Sequence, residues 1–137
     1  MQTLPLRLRP GQDLRASLES VLADHRMSAA FVLQGIGSLS AAQVRFASVS
    51  GTTAMHGSLE ILTLAGSLAP DGAHLHIALS DAQGRVFGGH AGYGCIVRTT
   101  AEILIALLPD VQFSRLPDAE SGYRELAIRA VRPPGGA

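Results

Sequence analysis

Apolar and polar positions alternate along most of this chain with the period of a strand. Leu4, Leu6 and Leu8 alternate with Pro5, Arg7 and Arg9, which predicts a short strand with one buried face. Pro5 cannot donate to a ladder on its side, so the strand belongs at an edge. Pro10-Gly11 ends it. Leu14, Leu18, Val21 and Leu22 then recur at helical spacing, with Arg15, Glu19 and Asp24 on the other side. This predicts one helix over about Asp13 to Arg26, with Asp13 or Gln12 at its start, where an acceptor or a negative charge is favourable.

Beyond the helix the strand pattern returns. Strands are predicted over Ala29 to Ile36, Val44 to Val49, Leu59 to Leu68, His74 to Ser80 and Arg85 to Ala91. Pro70-Asp71-Gly72 and Asp81-Ala82-Gln83-Gly84 are the turns that join the later ones. Ile96 to Leu108 mixes helix formers with β-branched residues, and the β-branched majority favours strand. Tyr123 to Val131 alternates and forms a last strand. The total is seven to nine strands and one N-terminal helix without regular βαβ alternation. The expected class is therefore α+β with a mainly antiparallel sheet. One domain is expected over residues 1–132, followed by a disordered tail over 133–137, where Pro133-Pro134-Gly135-Gly136 stands.

Composition sharpens this picture. Of 137 residues, 47% are hydrophobic, enough for a core without disulfides or metals. Mean hydropathy is +0.25, which leaves apolar surface to hide between subunits. The 11 basic residues balance 11 acidic ones. All 11 are arginine, scattered singly from Arg7 to Arg132. A nucleic-acid binder needs a clustered basic surface, so composition argues against direct high-affinity DNA binding. Cys95 is the single cysteine and is expected as a small buried hydrophobe; a chain without disulfides fits a reducing compartment. No signal peptide pattern and no apolar run of bilayer length is visible. The expected location is the cytoplasm, with no membrane partner.

Candidate chemistry concentrates in the histidines. Gly35-x-Gly37 lacks the third glycine of a dinucleotide fingerprint, so a bend or bulge between two strands is expected there. His74 and His76 sit two apart on a predicted strand, so they share a face with α-carbons about 7 Å apart. A three-residue Ala82-Gln83-Gly84 loop, with Gly84 in the left-handed position, pairs Asp81 with Arg85 and places His90 opposite His76. A bulge at Gly88-Gly89 would shift that register. Three neutral imidazoles with one open position describe a catalytic-type zinc site; the alternative is three solvated polar side chains. Glu60 and Glu102 lie inside strands, on an exposed face or as partners that orient a ligand histidine. Arg98 is a further candidate for anion binding. His25 is expected to end the helix and His56 to lie in a loop, and neither carries a function.

These residues also carry a family resemblance. Gly35-Ile36-Gly37-Ser38, Leu59 to Leu68, His74 to Asp81, Gly84 to His90 and Thr100-Ala101-Glu102 resemble the successive blocks of the PPC (plant- and prokaryote-conserved) domain over nearly the whole chain. The early Gly-Gln-Asp-Leu helix start matches as well. The resemblance implies an α+β fold and a homotrimer. Plant members bind AT-rich DNA through a separate AT-hook with an Arg-Gly-Arg-Pro core, which is missing here; Arg132-Pro133-Pro134-Gly135 is not one. Bacterial stand-alone members tend to keep the three histidines that plant domains tend to lose. Their pattern is also distantly similar to the zinc site of acetolactate decarboxylases, a likeness of pattern that does not carry the reaction over. The expectation is a trimeric zinc-binding protein that acts on or binds a small molecule through His74, His76 and His90. The competing one is a DNA-associated or regulatory oligomeric scaffold.

Overall fold

The structure is a computed structural model, and it describes residues 1–131. The first strand, β1 (Gln2–Leu8), leads into helix α1 (Leu14–Asp24). The strands β2 (Ala30–Arg45), β3 (Thr53–Ala69), β4 (Gly72–Ser80), β5 (Val86–Ala91) and β6 (Ile96–Leu107) follow. A hairpin of β7 (Val111–Pro117) and β8 (Arg124–Ala130) completes the described residues. The eight strands form a six-stranded sheet in the order β1-β6-β2-β3-β4-β5 and a separate two-stranded one. Every pairing is antiparallel, as expected from a chain without βαβ alternation. Pro5 indeed lies in the edge strand. The end of β2 also pairs with β5, through Val44 opposite Ala91 and Arg45 opposite His90. β2, β3, β4 and β5 thereby close on themselves.

The helix is the predicted one. Leu14, Leu18, Val21 and Leu22 are buried in one core with the sheet residues, each contributing roughly 1.5–3 kcal/mol by removal from water. Asp13 is the N-cap and accepts from the Ala16 backbone N–H at 2.9 Å. Its other oxygen accepts from the Gly94 N–H at 2.7 Å, which ties the start of the helix to the β5–β6 loop. His25 is the C-cap.

Three expectations change. The strand expected over Ala29 to Ile36 runs on to Arg45 as one strand of 16 residues, and Phe46 to Val49 of the strand expected over Val44 to Val49 lie outside it. Gly35-Ile36-Gly37 lies within it and does not turn the chain. Register shifts at Val32/Gln34, Gly37/Leu39 and Leu39/Ala41 absorb the irregularity, so the bulge is present and the bend is not. Gly37 has φ of +146°, and a Cβ there would stand 2.2 Å from the Thr100 carbonyl oxygen; glycine is required by that close approach. His56 lies in β3 opposite Ala41 rather than in a loop. The strand β7 had no counterpart in the sequence reading.

The hairpin β7–β8 packs on the sheet through Phe113, buried with Ala29 and Ala69 and edge-on to Phe31. None of the described helices is long and apolar enough to cross a membrane. The tail expected to be disordered lies outside the described residues.

Candidate metal centre

The β4–β5 hairpin folds with the predicted register. The Asp81 N–H donates to the Arg85 carbonyl at 3.0 Å, and the Gly84 N–H donates to the Asp81 carbonyl at 3.0 Å. Gly84 takes φ of +75°, the left-handed conformation such a loop requires. The Asp81 side chain locks the turn by accepting from the N–H groups of Gln83 and Arg85 at 2.9 and 3.0 Å. From there the ladder runs without a shift to His76 opposite His90. Gly88-Gly89 makes no bulge. A Cβ at Gly88 would lie 2.5 Å from the Ile77 carbonyl oxygen, and one at Gly89 would lie 2.4 Å from that of Arg45. The two glycines instead let β4 and β2 approach β5 closely.

Burial in β4 alternates strictly: Ala73, Leu75, Ile77 and Leu79 face the core. His74 and His76 therefore share the outer face, and His90 joins them from β5 as the directly opposite residue. Candidate ligand nitrogens from the three rings all lie within 4.8 Å of one another. The Nε2 atoms of His74 and His76 are 3.2 Å apart. Two nitrogens bound to zinc at 2.0–2.1 Å with a tetrahedral angle would be about 3.3 Å apart. The pair is thus already at ligand spacing. Ring centroids are 4.7–5.2 Å apart, with His76 nearly perpendicular to both others. His74 and His90 are stacked at 14°, and His76 meets them edge-on, so three ring nitrogens are within reach of one ion.

The surroundings favour neutral imidazole. Burial lowers the pKa of His74, and the charges of Arg115, His76 and His90 lower it further against the opposing pull of Glu125. Burial likewise lowers that of His90, followed by the charges of Arg45, His76 and Arg15. A metal ligand must be deprotonated, and both rings are held toward that form; the arginine charges that contribute to this also oppose a bare cation.

Of the other candidates, Glu60 stands opposite Ser80, four residues along β4 from His76. That is roughly 13 Å at about 3.3 Å per residue. Glu102 lies in β6 between Arg7 and Ile36, with β2 and β3 separating it from β4. Arg98 is exposed, also in β6. None of the three joins the cluster. Cys95 is fully buried, and burial raises its pKa, as suits an inert core thiol.

The structure instead brings up residues that the sequence did not mark. Arg45 lies directly across the ladder from His90. Arg115, on β7, is buried to 9% exposure and donates from Nη2 to Ser67 Oγ. Ser67 is itself the cross-strand partner of His74. Behind the cluster, on the helix side, Arg15 donates to the carbonyls of Ala73 and Ala91 at 3.0 and 3.2 Å. It thereby links the strand positions next to His74 and His90. Glu19 holds Arg15 at 3.0 Å and accepts from the Tyr93 hydroxyl. Helical spacing of Arg15 and Glu19 hinted at that pair; nothing local marked Arg115.

Known proteins match this chain along most of its length. The family model described as the Plants and Prokaryotes Conserved (PCC) domain matches residues 1–109. The bifunctional protein GlmU of a Synechococcus strain is 48% identical over 131 residues, which are 96% of this chain and 21% of that protein. The chain thus spans about a fifth of the length of that curated relative and of a second GlmU. A hypothetical protein of Salmonella enterica is 41% identical, with a TM-score of 0.91 over 94% of each chain. A metal-containing protein of Archaeoglobus fulgidus is 24% identical, with a TM-score of 0.73 over 93% of this chain and 94% of that one. Matched by that family model over residues 1–109, the chain belongs to the Plants and Prokaryotes Conserved (PCC) domain family.

Proposed function

We propose that this chain is a metal-binding protein in which His74, His76 and His90 hold one divalent transition ion, zinc foremost, and present its open position to a small molecule. The observation that carries the reading is the convergence of three ring nitrogens within 4.8 Å on one rigid hairpin. Imidazole suits zinc, and three protein ligands leave a fourth position for water or a substrate oxygen. There an ion would polarise a carbonyl or activate water. The related fold from Archaeoglobus is described as metal-containing, which supports the same reading.

A homotrimer is part of this proposal. Phe31, Leu33, Ile36, Leu62 and Leu104 are 37–50% exposed. Phe31 is opposite Ser67, and Ser67 is opposite His74, so this apolar surface shares the outer face with the histidines. Exposed large apolar side chains on such a face are commonly covered by a partner. A cytoplasmic setting, supported by the single buried cysteine, completes the reading.

Metal analysis of protein purified without a histidine tag tests the centre. About one zinc per chain is expected, and His76→Ala is expected to lose it with unchanged circular dichroism, because the core does not include that side chain. Full metal content in His76→Ala would sink the assignment. Light scattering should report three times the 14.3 kDa chain mass; a stable monomer would remove the assembly from the proposal.

A further inference from the structure

Charge around the cluster points to what fills the open position. The three histidines are neutral when they bind an ion, so its double positive charge is left uncompensated by its ligands. Arg45 adds a charge on the β5 side, across the ladder from His90. Arg115 adds another on the β3 side, held against the cross-strand partner of His74. Both charges act on the cluster: Arg115 is the leading charged influence on His74, and Arg45 on His90. Glu125 is the one carboxylate felt by His74, and it is also felt by Arg115. Asp71 and Glu125 both act on Arg115, so the positive charge at the open position comes from the ion together with Arg45 and a partly compensated Arg115.

Arg115 is an unusual place to put a charge. Its side chain is among the buried polar ones, and its burial is costly unless its donors are used. Its Nη2 is used by Ser67, and its backbone N–H donates to Asp71 at 2.9 Å. Asp71 sits in the β3–β4 turn that precedes His74, so the arginine is fixed relative to the cluster by β3 and by that turn. A guanidinium has five donors in a planar fork. Its hydrogen bond to Ser67 engages one nitrogen of that fork.

We propose that the open position takes the oxyanion group of a small molecule, a carboxylate or a phosphate, with one oxygen on the ion and another on the Arg115 guanidinium, and with Arg45 closing the opposite side. The inference rests on the metal reading above and adds the ligand class. Terminal oxygens of either group meet the same two requirements: a hard donor for the ion and acceptors for a planar guanidinium. Arg45 is only partly buried and its Nη1 contacts the Val49 carbonyl at 3.5 Å, so it contributes field more than a fixed contact.

Cobalt(II) is the probe, because its visible absorption reports ligands added to a tetrahedral site. Cobalt-loaded protein is titrated with acetate, with inorganic phosphate and with acetamide, at constant ionic strength set by perchlorate. At least one oxyanion is expected to shift the spectrum saturably, and which one does so distinguishes carboxylate from phosphate. Neutral acetamide is expected to bind at least tenfold more weakly than acetate if carboxylate is the class. Arg115→Gln is expected to keep cobalt affinity within a few-fold and weaken the oxyanion by roughly ten- to hundredfold, the scale of a lost charge-assisted hydrogen bond. Arg45→Gln, at a partly buried position outside the β4–β5 hairpin, is expected to weaken it by about threefold.

A cobalt spectrum indifferent to both oxyanions would overturn the proposal and leave the metal centre standing. So would equal oxyanion affinity in Arg115→Gln. Failure of the wild-type protein to bind cobalt through the three histidines would overturn both readings.

Discussion

Gly66→Ala should be far more damaging than its single methyl group suggests. Gly66 lies inside β3 opposite Leu75, between the residues that face His74 and His76. Its φ of +155° is one that side-chain-bearing residues rarely adopt, and an added Cβ would stand 1.9 Å from the His74 carbonyl oxygen and 2.9 Å from Leu75 Cα. Backbone strain costs about 1–3 kcal/mol, and forcing two strands apart adds about 1–3 kcal/mol as overpacking does. The sum is about 2–6 kcal/mol. Gly57 supplies the control: its φ is +117°, and a Cβ there meets nothing within 4 Å, so Gly57→Ala carries the strain alone. Urea unfolding at one fixed protein concentration measures both, and Gly66→Ala should exceed Gly57→Ala by about 1–3 kcal/mol. The collision falls on the backbone of a proposed ligand, so the double loss of stability and cobalt affinity should appear in Gly66→Ala alone. Equal stabilities for the two variants would refute the close-approach argument.

Metal retention should be flat from alkaline pH down past the ordinary imidazole pKa of about 6.5, because His74 and His90 are both held below their usual values. Protons then displace the ion as pH falls through the lowered pKa values, which equilibrium dialysis would follow; release centred above pH 6.5 would contradict the sign. In the metal-free protein the same two shifts mean that the unfolded chain binds more protons, so stability should rise with pH across the window just below 6.5. Glu19→Gln should cost about 1 kcal/mol, because it weakens contacts to Arg15 and Tyr93 that are partly screened by solvent. Burial raises the Glu19 pKa, but its hydrogen bonds from Tyr93, Arg15 and Ala73 outweigh this and lower it from 4.5. The corresponding stability is present above that value and is lost as pH falls through the lowered one, so thermal melts of wild type and variant should converge in acid. A gel shift with AT-rich duplex at physiological salt should show at best the weak non-specific association of about 10⁻⁴–10⁻⁶ M, given 11 basic against 11 acidic residues; sub-micromolar selective binding would restore the scaffold reading.

What the sequence determined by itself was local. The β4–β5 register followed from one glycine in a four-residue turn, because a hairpin loop's length and its left-handed position set which residues face each other. His74, His76 and His90 were legible for that reason, all within 17 consecutive residues. The helix was legible from four leucine and valine positions and one capping aspartate. Tertiary structure decided what lies far apart in the chain. The continuity of β2 past Gly35-Ile36-Gly37 depends on β6 approaching Gly37 closely, and a glycine in isolation reads equally as a bend. Arg115 reaches Ser67 across 48 residues because Phe113, two positions before it, buries against Ala29 and Ala69. Glu60 and Glu102 stayed away because sheet order, which no periodicity encodes, put them along β3 beyond reach and two strands removed from β4. Spacing within a hairpin fixes which side chains meet; the charges and donors that surround them are set by which distant strands the core draws together.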